Sequence, residues 1–429
     1  MTDARALRVT QHGGPEVLAV QTVDVPEPGP GQVRVRVEAA GINFIDVYQR
    51  QGVYPGPTPF TPGMEGAGIV ESVGADVDLL VGSRVAWAMA RGAAAELAVL
   101  PAASAVPVPN DITAEQAAAA MLQGMTAHYL TTSTYAVQPG DFVLVHAAAG
   151  GVGQWLVQVC SLAGATVIAT AGSEAKLAIA RELGAAYTLN YTAYATPAEL
   201  AAAVREATGG VGVAVAYDGV GKATFDASLG SLRPRGMLAL FGGASGQVPP
   251  FDLQRLNAAG SVFVTRPTLA HYVADRHELL WRAGEVFQTL ASGRVRMDIG
   301  GVYALEDAAA AYEALEGRAT TGVDPWELLK GFTDRSDRVL NLVEGFVPEV
   351  RWLDDAETLT YLHSTISTKR QRIRVPETPM HLDALLADEP LTGGLEPKLG
   401  DHHLRTLTII GFPSATFPGL LDELNRLAF

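Results

Sequence analysis

FVLVHAAAGGVGQWLVQVCSLAGATVIATAGSEAK, residues 142–176, is the stretch on which the fold turns. It opens with FVLVH (142–146), an apolar run of the length and β-branched character of a buried strand. The glycine-rich AAAGGVG (147–153) follows, and residues 151–163 then read as a helix. A chain that turns this tightly from strand to helix, and lets a pyrophosphate reach the helix N terminus, needs positions without a Cβ. The dinucleotide fingerprint G-x-G-x-x-G is present here with Ala148 in place of its first glycine; Gly150, Gly151, Val152 and Gly153 complete the loop.

The second strand, TVIAT (166–170), bears on which nicotinamide cofactor fits. An NAD site wants an acid near the end of this strand for the ribose hydroxyls. The chain instead runs Gly172, Ser173, Glu174, Ala175, Lys176. Ser173 suits a helix N-cap, which places Glu174 in the first turn, where an acid is favourable for local reasons. Lys176, and the hydroxyl of Tyr191 at the end of the third strand, are placed to meet a 2′-phosphate. The expected cofactor is NADPH.

Working outward, strands at 187–190, 213–218, 237–241 and 261–265 alternate mostly with helices at 174–183, 198–207 and 222–231. Six buried strands separated by helices predict a parallel sheet covered on both faces. Phe241, Gly242 and Ser245 follow the fifth strand, and Phe263, Thr265 and Arg266 belong to the end of the sixth. The carboxyl ends of such strands are where ligands bind. The apolar edge SVFVT (261–265) suggests pairing with a second copy, hence a homodimer. Residues 1–100 read instead as short strands between Gly/Pro turns, such as PEPGPGQ at 26–32. An Ala-rich helical stretch follows from Asp111, the expected N-cap, and 274–291 and 306–316 read as amphipathic helices.

The chain has 429 residues, 48% hydrophobic and 18% charged, enough for two or three packed domains. Its net charge of -15 disfavours nucleic-acid backbones. The single cysteine, Cys160, excludes an internal disulfide and a cysteine-built zinc site. Without an apolar run of spanning length or an apolar signal core, a cytoplasmic protein with no membrane insertion is expected.

Several motifs together, GINFIDVYQRQGVYP (41–55), PGMEGAGIV (62–70), QGMTAHYL (123–130), HAAAGGVG (146–153), YDGVG (217–221), FGGASG (241–246), TRPTL (265–269) and RATTG (318–322), carry a resemblance. Over residues 1–322 the chain resembles the zinc-independent quinone oxidoreductases of the zeta-crystallin type, in the medium-chain dehydrogenase/reductase superfamily. The resemblance implies a mostly β, GroES-like substrate domain, 1–122 joined by 265–322, with a Rossmann domain, 123–264, inserted in it. It also implies an NADPH-dependent reductase whose substrate is a quinone or an α,β-unsaturated carbonyl; an enoyl or alkenal reductase is the alternative. Asn43, Asp46, Tyr48 and Thr126 are the residues it brings to the nicotinamide, with Asn43 and Tyr48 facing the acceptor's oxygen, and Arg318 is expected to return toward the cofactor. Zinc relatives carry a histidine in G-H-E where this chain has Gly63-Met64-Glu65, and a thioether is a poor substitute for imidazole. No metal site is expected.

Beyond Gly322 the family's apolar closing strand is replaced by Val323-Asp324-Pro325-Trp326, and its loss is expected, since proline and acids disfavour strands. Residues 323–429 resemble the region ahead of the motor domain in conjugal-transfer, type IV secretion ATPases, an α+β fragment without a P-loop. The two readings for it are a fused fragment with no chemistry of its own and a module that docks on a secretion assembly.

Overall fold

The computed structural model describes residues 2–297 and 299–317, together with the strand segments Pro325–Glu327, Val350–Trp352, Thr358–Tyr361 and Met380–His381. The chain divides into two compact units, Met1–Lys330 and Gly331–Phe429. In the second, the described strands Val350–Trp352, Thr358–Tyr361 and Met380–His381 form one antiparallel sheet. Otherwise the C-terminal fragment lies outside the described residues.

The first unit begins with an antiparallel pair, β1 (Thr2–Val9) and β2 (Leu18–Val25). A long strand β3 (Gln32–Gly41) leads into a short helix α1 (Phe44–Arg50). Strands β4 (Glu65–Val73), β5 (Arg84–Ala88), β6 (Leu97–Pro101) and β7 (Val106–Pro107) complete an antiparallel sheet in which β3 lies beside β4 and β6. Trp87, Val33, Val35 and Val85 are fully buried in its core.

Helix α2 (Ala114–Tyr129) then enters the second half. Ala117 to Ala120 and Met121 are all 0% exposed, so this helix is buried all round. Its alanines permit close approach on every side, and it packs on the antiparallel sheet and on the helices that follow. Its N-cap is Thr113 rather than the expected Asp111. Thr113 Oγ1 accepts from Gln116 N at 3.2 Å, and Gln116 Oε1 accepts from Thr113 N at 3.0 Å. This reciprocal box satisfies two otherwise unpaired N–H groups and outcompetes a lone aspartate two residues earlier.

The chain next alternates as expected: β8 (Phe142–Val145), α3 (Gly151–Leu162), β9 (Thr166–Ala171), α4 (Glu174–Glu182), β10 (Tyr187–Asn190), α5 (Pro197–Ala207), β11 (Val213–Asp218), α6 (Phe225–Ser231), β12 (Leu232–Leu240), α7 (Gln254–Ala258) and β13 (Phe263–Thr265). The parallel order is β10-β9-β8-β11-β12-β13, the doubly wound arrangement whose crevice opens where the winding reverses, beside β8. Side chains alternate across it. Val143, Val145 and Val167 face one core cluster with α2 and α3, while Leu144, Ile168 and Ala216 face another with α5 and α6. All six residues of β11 are buried, as a strand covered on both faces requires. Helices α8 (Leu269–Tyr272) and α9 (Arg276–Ala291) pack on α2, and α10 (Ala308–Glu316) returns to the core of the antiparallel half.

The expected loss of the closing strand is corrected. Strand β14 (Pro325–Glu327) pairs antiparallel with the end of β3, Pro325 opposite Gly41 and Glu327 opposite Ala39. Proline is tolerated as the first residue of an edge strand, where its missing N–H need not disrupt a ladder.

Candidate active site

The turn from β3 into α1 builds the first wall. Asn43 is the α1 N-cap, and Asp46, three residues on, closes the box: its Oδ2 accepts from Asn43 N at 3.0 Å. Asp46 Oδ1 also accepts from Gly63 N at 3.2 Å. Asp46 is 1% exposed, and burial, outweighing these bonds, raises its pKa to about 7. The structure thus gives Asp46 a backbone-holding role.

The Asn43 side chain is held at both ends. Its Nδ2 donates to Glu65 Oε1 at 2.6 Å, and its Oδ1 accepts from Gln123 Nε2 at 3.2 Å. Glu65 Oε2 accepts from the backbone N–H of Leu122 in α2 at 2.6 Å. Glu65 is fully buried, and desolvation lifts its pKa to about 8, with Asp46 pushing the same way. Glu65 and Gln123 lie in motifs that carry the resemblance, but the sequence assigned neither a role. Met64, between Gly63 and Glu65, is 7% exposed and its sulfur accepts from Gln49 Nε2 at 3.3 Å. Thr126 lies buried on α2, one helical turn beyond Gln123.

The second wall is the β8–α3 turn. Ala148 is fully buried, and its N–H donates to Thr170 O on β9 at 3.1 Å. Gly150 is the α3 N-cap in an extended conformation and offers no side-chain cap, so the first-turn amides of Gly151, Val152 and Gly153 point out of an uncapped helix end. A Cβ on Gly153 would meet Ala147 O at 2.2 Å, and one on Gly151 would meet Gln123 Oε1 at 1.5 Å. Gln123 Oε1 is itself a buried acceptor without a partner. An uncapped helix N terminus, a cradle without Cβ atoms and an orphaned acceptor beside it fit a dinucleotide pyrophosphate and its neighbouring groups.

At the end of β9, Ser173 caps α4, accepting from Lys176 N at 3.4 Å, as expected. Glu174 is drawn into an ion pair with Arg181. The Tyr191 hydroxyl lies over Gly172, 2.7 Å from where a Cβ would stand. This corner therefore collects Gly172, Ser173, Lys176 and Tyr191.

Across the crevice, the backbone N–H of Gly243, in the loop after β12, donates to the Tyr48 hydroxyl at 3.1 Å. Tyr54 packs edge-on against Tyr48 at 5.3 Å and accepts from Arg266 Nη2 at 3.4 Å. Burial raises the Tyr48 pKa, so its phenol stays protonated.

Two family descriptions match the chain: an alcohol dehydrogenase GroES-like domain over residues 29–110, and a zinc-binding dehydrogenase over 151–276. A quinone oxidoreductase of Pseudomonas aeruginosa is 44% identical over 322 residues, covering 74% of this chain and 98% of its own length. The chain belongs to the quinone oxidoreductase family. A 2-haloacrylate reductase of a Burkholderia species is 42% identical over 323 residues, 73% of this chain and 96% of that protein. The Escherichia coli quinone oxidoreductase, solved with NADPH, superposes with a TM-score of 0.73 at 40% identity, covering 76% of this chain and all of the other.

Within this quinone oxidoreductase fold the expected site residues divide. Asn43, Tyr48 and Arg266 join contacts that bridge separate parts of the chain, and Gln123, Glu65 and Tyr54 join them unannounced. Gly242 and Ser245 serve the loops: a Cβ on Gly242 would strike Gly219 O at 2.4 Å, and Ser245 Oγ donates to Val220 O at 2.8 Å. The Phe241 ring covers Gly219. Phe263 begins β13, away from its carboxyl end, and is 58% exposed, whereas Thr265 ends that strand. Arg318 lies outside the described residues.

Proposed function

We propose that the protein reduces quinones with NADPH, with no metal taking part. The observation that carries this reading is the uncapped N terminus of α3, its glycine cradle facing the Asn43–Gln123 pair. NADPH, when bound, supplies the reducing equivalents. The chain's part is to orient the acceptor and stabilise charge on its oxygen. Tyr48 accepts from Gly243 N and keeps its own proton to donate toward that oxygen. Asn43 has one Nδ2 hydrogen on Glu65 and a second to offer. Two such donors suit a carbonyl that gains negative charge. A quinone is electrophilic enough to need no stronger Lewis acid, and a thioether and a capping amide at Met64 and Asn43 make a poor zinc donor set.

The test is an acceptor panel of quinones, enones and 2-haloacrylate, followed by NADPH oxidation before and after chelation. Quinones are expected to be turned over most efficiently and chelation to change nothing. A haloacrylate or enone preference moves the assignment to carbon–carbon double-bond reduction, and zinc-restored activity overturns it.

Lys176, Ser173 and Tyr191 favour NADPH over NADH in this reading. Lys176→Ala is expected to erase about a 10–100-fold preference; an unchanged affinity ratio would rule the role out. The substrate domain comprises 1–122 and 265–322, extended by β14, and the cofactor domain 123–264. A homodimer through β13 is supported by its position at the sheet edge and by the exposed Phe263; a monomer in light scattering at micromolar concentration would refute it. Among the described residues no helix is long and apolar enough to cross a membrane, and we place the protein in the cytoplasm. Residues 323–429, apart from β14, are read as a fused fragment, with docking on a secretion assembly as the alternative.

A further inference from the structure

Gln123 sits where α2 meets the glycine loop, 6% exposed. Its Nε2 is committed to Asn43, yet its Oε1 is buried without a donor. That oxygen occupies the place a Gly151 Cβ would take, at the first residue of α3. A buried amide oxygen left unpaired is unfavourable, so such an atom marks a group that arrives from outside the chain. A pyrophosphate at the α3 N terminus has no hydrogen to give. The donors nearest to it along a dinucleotide are ribose hydroxyls. The adenosine side belongs to the Gly172–Tyr191 corner at the end of β9, whereas Gln123 lies toward Asn43.

We propose that Gln123 is a positioning residue that couples cofactor to substrate site: its Oε1 accepts from a hydroxyl of the nicotinamide-side ribose, while its Nε2 fixes the Asn43 amide. Glu65 holds the other end of that amide and, through Leu122 N, the same turn of α2. Cofactor binding thereby locks the donor that faces the acceptor. The inference rests on the reading of NADPH as cofactor and goes beyond it in naming the group that senses it.

The experiment titrates the full-length protein and its Gln123→Met variant, by fluorescence or calorimetry, with NADPH and with adenosine 2′,5′-bisphosphate, which lacks the nicotinamide-side ribose. NADPH affinity is expected to fall about ten-fold in the variant, the equivalent of one hydrogen bond, while bisphosphate affinity stays within about two-fold. Parallel losses for both ligands, or no loss for either, overturn the proposal. Should the variant not fold, the wild-type protein is titrated with NADPH and with its analogue lacking both hydroxyls on that ribose; weaker binding of the analogue supports the role and equal affinity overturns it. Wild-type protein that binds neither NADPH nor the bisphosphate would overturn the cofactor reading itself, a result distinct from an unsplit variant.

Discussion

At the level of single side chains, Tyr48 and Glu65 tie the wall built by β3 and α1 to its neighbours, Tyr48 to Gly243 and Glu65 to Asn43 and Leu122. Tyr48→Phe removes only the hydroxyl that Gly243 N donates to, the group proposed to face the acceptor. It is expected to lower kcat/KM for quinone about ten-fold or more, with NADPH affinity unchanged, as steady-state kinetics and a binding titration would show. Glu65→Gln puts an amide N–H2 against Asn43 Nδ2 or Leu122 N–H, so it destabilises the fold. The size of that loss depends on pH. Burial raises the Glu65 pKa to about 8, so the native state binds a proton that the unfolded chain releases at lower pH. Its contribution is therefore complete below the ordinary carboxylate range and is lost as pH rises through about 8. The stability gap between wild type and Glu65→Gln is expected to narrow toward alkaline pH, by at most about 1.4 kcal/mol per pH unit. Denaturant melts at pH 6 and pH 9 check it; a constant gap would place the titration elsewhere. The glycine-rich turn and the Ser173 cap were legible in the sequence because a cap or a turn is settled by neighbours a few residues away. Glu65 and Gln123 were not, because what gives them meaning, Asn43, lies 22 and 80 positions off.

Among the elements, α2 joins the two sheets, and its start rests on Thr113. Thr113→Ala is expected to cost about 1 kcal/mol and Asp111→Ala nearly nothing, as thermal melts would reveal; equal losses would return the cap to Asp111. The six parallel strands and their helices followed from periodicity, because a strand buried on both faces has little freedom in composition. Strand β14 did not. An edge strand is held by backbone pairing with β3, which side-chain propensity in Val323-Asp324-Pro325-Trp326 does not report.

At the scale of the whole molecule, the compact first unit ends at Lys330, beyond β14. A chain ending at Lys330 is expected to retain full NADPH-dependent reduction. A chain ending at Gly317 lacks β14, unpairs the Ala39–Gly41 edge just ahead of Asn43, and is expected to lose about 1–3 kcal/mol of stability together with activity. Unfolding curves and turnover of the two truncations decide the matter; full activity in the shorter chain would make β14 dispensable. The pairing of β14 with β3 also sets an order in time. Translation delivers Gly41 early and Pro325 some 280 residues afterwards, and at about 5–20 residues per second that interval is on the order of fifteen to sixty seconds. At its end the antiparallel sheet of β3 still waits with one margin open, while the parallel sheet, begun later, already has all six of its strands. The domain that is synthesised first is finished last.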